Sequence, residues 1–417
     1  MNVIMLTWEY PPHLVGGLAR AVHALAKALA KQGHKVHVMT RAGGGLPPDA
    51  MEDGVHVVRV PLYFQEPQDF RLWVTHLNFA LMEAGTNLLS ELEQPAVLHA
   101  HDWLVAYAAK GLKNLFRIPL VSTIHATEHG RHQGIWDGGQ QYINDVEWWL
   151  TYESWRVIVC SQAMRAEVRG LFGLGDDKVV VLPNGVEMKE PGAYENLPTR
   201  EQWVARDERL LFHMGRIVPE KGLGVLLEAL PKVLAHQNVK TVVAGTGPYL
   251  DEAKRRVRAL GLGDRVYFLG RVSDRTADAL YRSADVAVVP STYEPFGIVA
   301  LEAMAAGTPL IVSDTGGLGE IVWHDGNGLK AYPGNAHSLA DQILRMLTEP
   351  GLAQRLSAQA RRDVEQFYTW DGIAERTAEL YENVILESAQ TDWSAIRLHH
   401  MAPPASASGE APGRYTI

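Results

Sequence analysis

The residues of this chain best suited to chemistry begin with two carboxylates, Glu294 and Glu302. They have seven residues between them in PSTYEPFGIVALEAMAAG, residues 290–307. By spacing alone such a pair reads as a general acid and a general base, or as two anchors for different parts of one long ligand. Upstream stand Arg216 and Lys221, with four residues between them. A planar guanidinium fork beside an ammonium point charge matches a diphosphate. Gly16-Gly17 opens a helical stretch, where a ligand can approach the backbone and the helix N-terminus favours a phosphate. The spacing there is not GxGxxG, so no dinucleotide cofactor is indicated. His101-Asp102 and His125 complete the set.

These residues share a setting that says which elements must hold them. Short, valine-rich apolar runs at 3–7, 96–100, 119–124, 210–214, 240–244, 285–289 and 309–313 read as buried parallel strands. Helical patterns alternate with them, including 18–31, 65–93, 104–115 and 223–236. The reactive residues sit at the strands' carboxyl ends, the edge where open α/β sheets bind ligands. The pattern predicts an α/β chain of two Rossmann-like, doubly wound parallel-sheet domains facing across a cleft. The first spans 1–186 and the second 208–370, joined by a polar linker at 187–207. Further helices are expected at 337–348, 351–367 and 371–388, the last packing back on the first domain. The tail at 401–417, rich in Pro, Ala, Ser and Gly, reads as disordered. Pro295 suits a first helical position. Trp148, Trp149 and Tyr152 have helical spacing and are expected in the core, whereas Trp136 is a candidate acceptor contact.

The composition excludes several function classes. A net charge of −9 argues against nucleic acid or an anionic membrane as the main partner. Cys160 is the single cysteine, so no internal disulfide forms. MNVIMLTWEYPP is not a signal peptide, and no run of about 20 apolar residues exists to span a membrane; the cytoplasm is the expected compartment. The 17 histidines show no metal-site spacing.

The pieces WEYPPHLVGGL, HAHDW, STIHAT, PNGV, GRIVPEKG, GTGP, STYEPFGIVALEAMAAGTP and DTGGLGEIV carry a resemblance. They resemble the retaining, two-Rossmann-domain (GT-B) glycosyltransferases of the large family that includes bacterial glycogen and starch synthases. The likeness runs from Met1 to about Trp370. It implies an ADP-, UDP- or GDP-sugar as donor substrate, with no cofactor and no metal. Glucose is the expected sugar and an α-1,4-glucan the leading acceptor; a sugar phosphate or a lipid-linked glycan is the alternative, and a nucleotide-sugar epimerase the rival class. By the resemblance Arg216 and Lys221 hold the donor diphosphate, Glu294 the donor sugar, Glu302 the ribose, and Gly16 and Gly17 the phosphates. His101 and His125 line the sugar pocket. Asp102, Asn184, Gly247, Phe296, Gly297 and Ile298 join the substrate-binding set. The carboxylates then form one end of a donor clamp. The chain departs from glycogen synthases at Leu14, where those usually carry lysine, and at HATEHGRHQG, residues 125–134.

Overall fold

The computed structural model describes residues 1–43, 45–62, 69–93, 95–188 and 197–394. The expected tail at 401–417, the start of the helix expected at 65–93 and part of the linker at 187–207 fall outside the described residues.

The first lobe carries strands β1 (Asn2–Leu6), β2 (Lys35–Arg41), β3 (Asp49–Glu52), β4 (Val55–Val60), β5 (Ala96–His101), β6 (Leu120–Ile124), β7 (Arg156–Val159) and β8 (Val179–Val181). Its helices are α1 (Gly17–Lys31), α2 (Phe70–Glu91), α3 (Ala106–Phe116), α4 (Glu128–His132), α5 (Gly138–Glu153) and α6 (Gln162–Phe172). The second lobe holds β9 (Arg209–Met214), β10 (Val239–Ala244), β11 (Val266–Gly270), β12 (Val286–Val289), β13 (Leu310–Ser313) and β14 (Leu329–Ala331). With them run α7 (Leu223–Leu234), α8 (Leu250–Ala259), α9 (Asp274–Ser283), α10 (Ile298–Ala306), α11 (Gly316–Ile321), α12 (Ala336–Thr348), α13 (Leu352–Phe367) and α14 (Trp370–Ala389).

The sheet orders are β3-β4-β2-β1-β5-β6-β7-β8 and β11-β10-β9-β12-β13-β14. Every pairing is parallel except β3 with β4. The strand order reverses between β1 and β5 in the first sheet and between β9 and β12 in the second. Those reversals open a crevice at the strands' carboxyl ends. Strands β1, β5, β6 and β12 are buried at every position. Helices on both faces demand that, so the strands lack a polar side.

Helix α1 shows how the layers close. Leu18, Val22, Leu25, Ala26 and Leu29 recur at helical spacing and bury one face. The helix stops at Gly33, whose φ of +90° lets the chain turn back at low strain. That buried face meets α14, where Ile373, Ala374, Tyr381, Val384 and Ile385 are buried in the same cluster. The chain thus runs through the second lobe and returns to the first. The crossover pairs Val186 with Thr369. The lobes also meet at the start of α6. There Gln162 and Ala163 donate their N–H groups to Glu320 at 2.9 and 2.7 Å, and Ser161 Oγ donates to the Pro295 carbonyl at 2.7 Å.

Two expectations are corrected. Trp148 and Tyr152 are 45% and 63% exposed and stack on each other, with ring centres 5.7 Å apart. The core-facing stripe of α5 is Val146, Glu147, Leu150 and Thr151, which turns residues 148 and 152 outward. Trp149 alone of the three packs partly against the core. Pro295 does not open a helix: α10 starts at Ile298, because Gly297 has a φ of +112° that no helix allows.

Candidate active site

The second lobe supplies the charged half of the crevice. After β9, Arg216 is half-exposed, and its guanidinium lies 3.8 Å from Glu220. One turn on, Lys221 Nζ donates to Glu294 Oε2 at 2.7 Å, and Ser291 Oγ donates to the same oxygen at 3.2 Å. The Glu294 side chain is 9% exposed, so this ion pair is well shielded from water. The loop geometry depends on Gly222: its φ is +70°, and a Cβ there would come within 1.8 Å of the Pro290 carbonyl oxygen. Lys221 is thereby laid directly against the segment that carries Glu294. Gly247 fits under the Arg216 loop, where a Cβ would lie 2.2 Å from the Ile217 oxygen.

Glu302 is in the second turn of α10. Its Oε2 accepts from the buried Tyr281 hydroxyl at 3.1 Å, and its Oε1 lies 3.2 Å from Arg20 of α1. Arg20 also reaches Asp274 at 2.6 Å, so one guanidinium spans both lobes. Gly297 and Ile298 form the start of α10, whose first N–H groups have no helical acceptor. The Phe296 side chain is 5% exposed, and its ring lies 6.2 Å from that of Tyr368.

The first lobe supplies the half that carries the histidines. Gly16 caps α1 through its backbone, and its N–H reaches Glu9 Oε2 at 3.3 Å; Val15 donates to the same oxygen at 2.5 Å. Burial pushes the Glu9 carboxyl up, while these amide donors pull it down. Gly17 faces Ile298 of the other lobe, with room for a Cβ only 3.3 Å from it. His101 ends β5 and is buried; its Nδ1 lies 3.2 Å from His125 Nε2. Its other ring nitrogen, Nε2, is buried with no hydrogen-bond partner. Asp102, with a φ of +62°, accepts the His125 N–H at 2.7 Å and faces Arg131 at 3.8 Å. It therefore orients the His125 turn. Burial drives His101 well below the ordinary imidazole range and His125 lower as well, so both rings are neutral near pH 7.

Asn184 lies on the crossover after β8, two residues before the Val186–Thr369 bridge. No side-chain contact joins it to these groups among the described residues. Trp136 is 74% exposed between α4 and α5, with its indole N–H on the His132 carbonyl at 2.9 Å. Sequence reasoning missed Arg20, Tyr281, Glu9 and Arg131. Arg20 stands one turn beyond Gly17, and that closeness was the available signal.

The arrangement can bind an extended anionic ligand across one lobe and polarise a bond beside neutral imidazoles. Among the described residues no helix is long and apolar enough to cross a membrane. Comparisons agree with the geometry. Residues 15–190 match Glycosyltransferase Family 4, and residues 198–363 match Glycosyl transferases group 1. An uncharacterized glycosyltransferase of Methanocaldococcus jannaschii is 39% identical over 92% of this chain and 98% of its own. A glycogen synthase of Mycobacterium tuberculosis is 37% identical over 91% of this chain and 94% of its own. The sucrose-phosphate synthase of Thermosynechococcus elongatus superposes with a TM-score of 0.79 at 27% identity, covering 93% of this chain and 99% of that one. The chain therefore belongs to the group 1 and family 4 glycosyltransferases and is an enzyme of the GT-B fold.

Proposed function

We propose that the enzyme moves a hexosyl group, glucose first among them, from a nucleoside-diphosphate sugar to a carbohydrate acceptor with retention of the α-configuration. The buried Lys221–Glu294 pair beside Arg216, at the crevice edge, carries this reading. An incoming diphosphate takes the Lys221 ammonium and the Arg216 fork, and frees Glu294 to accept from the donor sugar's hydroxyls. Glu302 receives the ribose hydroxyls. The backbone at Gly16, Gly17, Gly247, Gly297 and Ile298 approaches the donor closely, and Asn184 borders it on the crossover. His101, through its unpartnered Nε2, and His125 line the sugar. The bond from the anomeric carbon to the diphosphate oxygen breaks. A backbone carbonyl at one of the two histidines supports the cationic sugar. The acceptor oxygen then bonds to the same face, and its proton passes to the departing diphosphate. Two cations balance the diphosphate without a metal.

One relative is a glycogen synthase and a structural relative a sucrose-phosphate synthase. A glucan and a phosphorylated sugar are thus the two acceptor classes to separate. A screen of ADP-, UDP- and GDP-sugars against both classes, read as nucleoside diphosphate released with and without acceptor, tests the reading. Acceptor-dependent release supports it. Sugar inversion without release identifies an epimerase and overturns it.

A further inference from the structure

The carboxyl end of β2 holds a cation that the donor clamp does not use. Arg41 is the last residue of that strand. Its guanidinium carbon lies 6.0 Å from the Trp8 ring centre and 5.8 Å from that of Trp73. Those two indoles meet edge to face, with centres 6.1 Å apart. Among the described residues Arg41 has no carboxylate partner, and its Nε is buried with no hydrogen-bond acceptor. Most other arginines near the crevice are paired: Arg20 with Glu302 and Asp274, Arg131 with Asp102 and Glu128. A guanidinium flanked by two indoles, with a buried N–H unspent, is prepared for an anion.

Its position says which anion. In the sheet, β2 neighbours β1 and β1 neighbours β5, so Arg41 stands two strand ends from His101. An aromatic wall joins the two places: Trp73 stacks on Phe70 at 5.8 Å, and Phe70 meets Trp103 at 6.1 Å. Trp103 directly follows His101-Asp102. Adjacent strands are about 4.8 Å apart, so the span is roughly 10 Å, the length of a hexose with a charged substituent.

We infer that Arg41, flanked by Trp8 and Trp73, seats the phosphate of a phosphorylated sugar acceptor. Trp73 and Phe70, backed by the buried Trp103, then lie along the sugar ring, and the reacting hydroxyl points toward His101. This deepens the glycosyltransferase reading above and rests on it. The two fail differently, because slow donor breakdown in water needs no acceptor and reports the donor site alone.

The test measures kcat/KM for glucose 1-phosphate, glucose 6-phosphate, glucose and maltotriose with the full chain and the best donor from the screen. One of the two sugar phosphates is expected to surpass glucose by at least about tenfold, the scale of a bidentate guanidinium–phosphate contact. Arg41→Gln is expected to cut that preference by about the same factor, and Arg41→Lys, which keeps the charge without the fork, by less. Calorimetric titration of the preferred sugar phosphate should show its affinity falling in parallel. Circular dichroism checks that Arg41→Gln is folded; if it is not, the Lys variant decides alone. A wild type that prefers maltotriose or uses glucose equally well overturns the inference. So does a preference that both Arg41 variants retain.

Discussion

At the scale of single residues, the informative contact is the 2.7 Å pair between Lys221 and Glu294. Each partner neutralises the other in the free protein, so on the proposed reading the charge for a diphosphate is held in reserve. Removing either side chain has a different consequence for binding and for turnover. Lys221→Ala is expected to weaken donor binding and to lower transfer by about 10²–10³-fold, as removal of a preorganised electrostatic group does. Glu294→Ala leaves Lys221 unpaired, so the affinity for the bare nucleoside diphosphate should hold or rise while transfer falls by a similar factor. Titration calorimetry with the diphosphate, alongside nucleotide-release kinetics, separates the two effects. Full activity in both variants removes the site from this place. Both residues were legible in the sequence because each lies in the short loop that joins an apolar strand run to the next helix. The Arg20–Glu302 contact was not: its partners are 282 positions apart and belong to different lobes. Pattern along the chain carries no record of such a meeting.

At the scale of elements, the first lobe places its histidines through buried polar contacts between layers. His99 Nδ1 of β5 lies 2.6 Å from the Tyr381 hydroxyl of α14, and its Nε2 lies 2.7 Å from the Thr123 hydroxyl, so both ring nitrogens are partnered. Its ring lies 4.0 Å from that of His101. Tyr381→Phe strands a buried imidazole nitrogen and is expected to cost about 1–3 kcal/mol. The urea midpoint of the folded chain reads this directly. A second buried contact joins α4 to α5, where both Glu147 oxygens accept from the Glu128 N–H at 3.0 and 3.1 Å. Burial raises the Glu147 carboxyl to about 8, against the pull of Arg131. A raised carboxyl binds its proton more tightly in the folded state. Its contribution to stability is therefore fully present below the ordinary carboxylate range and is lost as pH climbs through about 8. Between pH 6 and 9 the melting temperature of wild type should fall more than that of Glu147→Gln, a neutral isostere that still accepts from Glu128. Parallel slopes refute this. The sheets and most helices were legible from periodicity. The antiparallel edge strand β3 was not, because the four residues of DAME hold two adjacent apolar side chains between carboxylates and show no alternation. The outward turn of Trp148 and Tyr152 was hidden for a related reason: spacing marks a shared face but not which way that face points.

At the scale of the whole molecule, Arg20 closes the crevice from the first lobe onto Asp274 and Glu302 of the second. If the proposed donor pose holds, a ribose arriving at Glu302 competes with Arg20. The proposed donor site thus predicts that donor binding and lobe position are linked through one guanidinium. Partly exposed pairs such as these each contribute at most about 1 kcal/mol and weaken with salt. Arg20→Ala is expected to enlarge the radius of gyration of the ligand-free protein in small-angle scattering at low salt. Adding nucleoside diphosphate should bring variant and wild type to a common value. Identical free-state scattering would show that Arg20 holds nothing closed.

Helix α14 has a further consequence, one of timing. The first sheet ends at Val181, yet the helix that covers one of its faces begins at Trp370. During synthesis at 5–20 residues per second, that face waits roughly ten to forty seconds for its cover. Through that interval Val22, Leu25 and Leu29 of α1 lack the partners they bury against in the finished chain. A fragment that stops before residue 370 keeps that vulnerable face for good, whereas supplying residues 370–389 in trans offers a way to complete it.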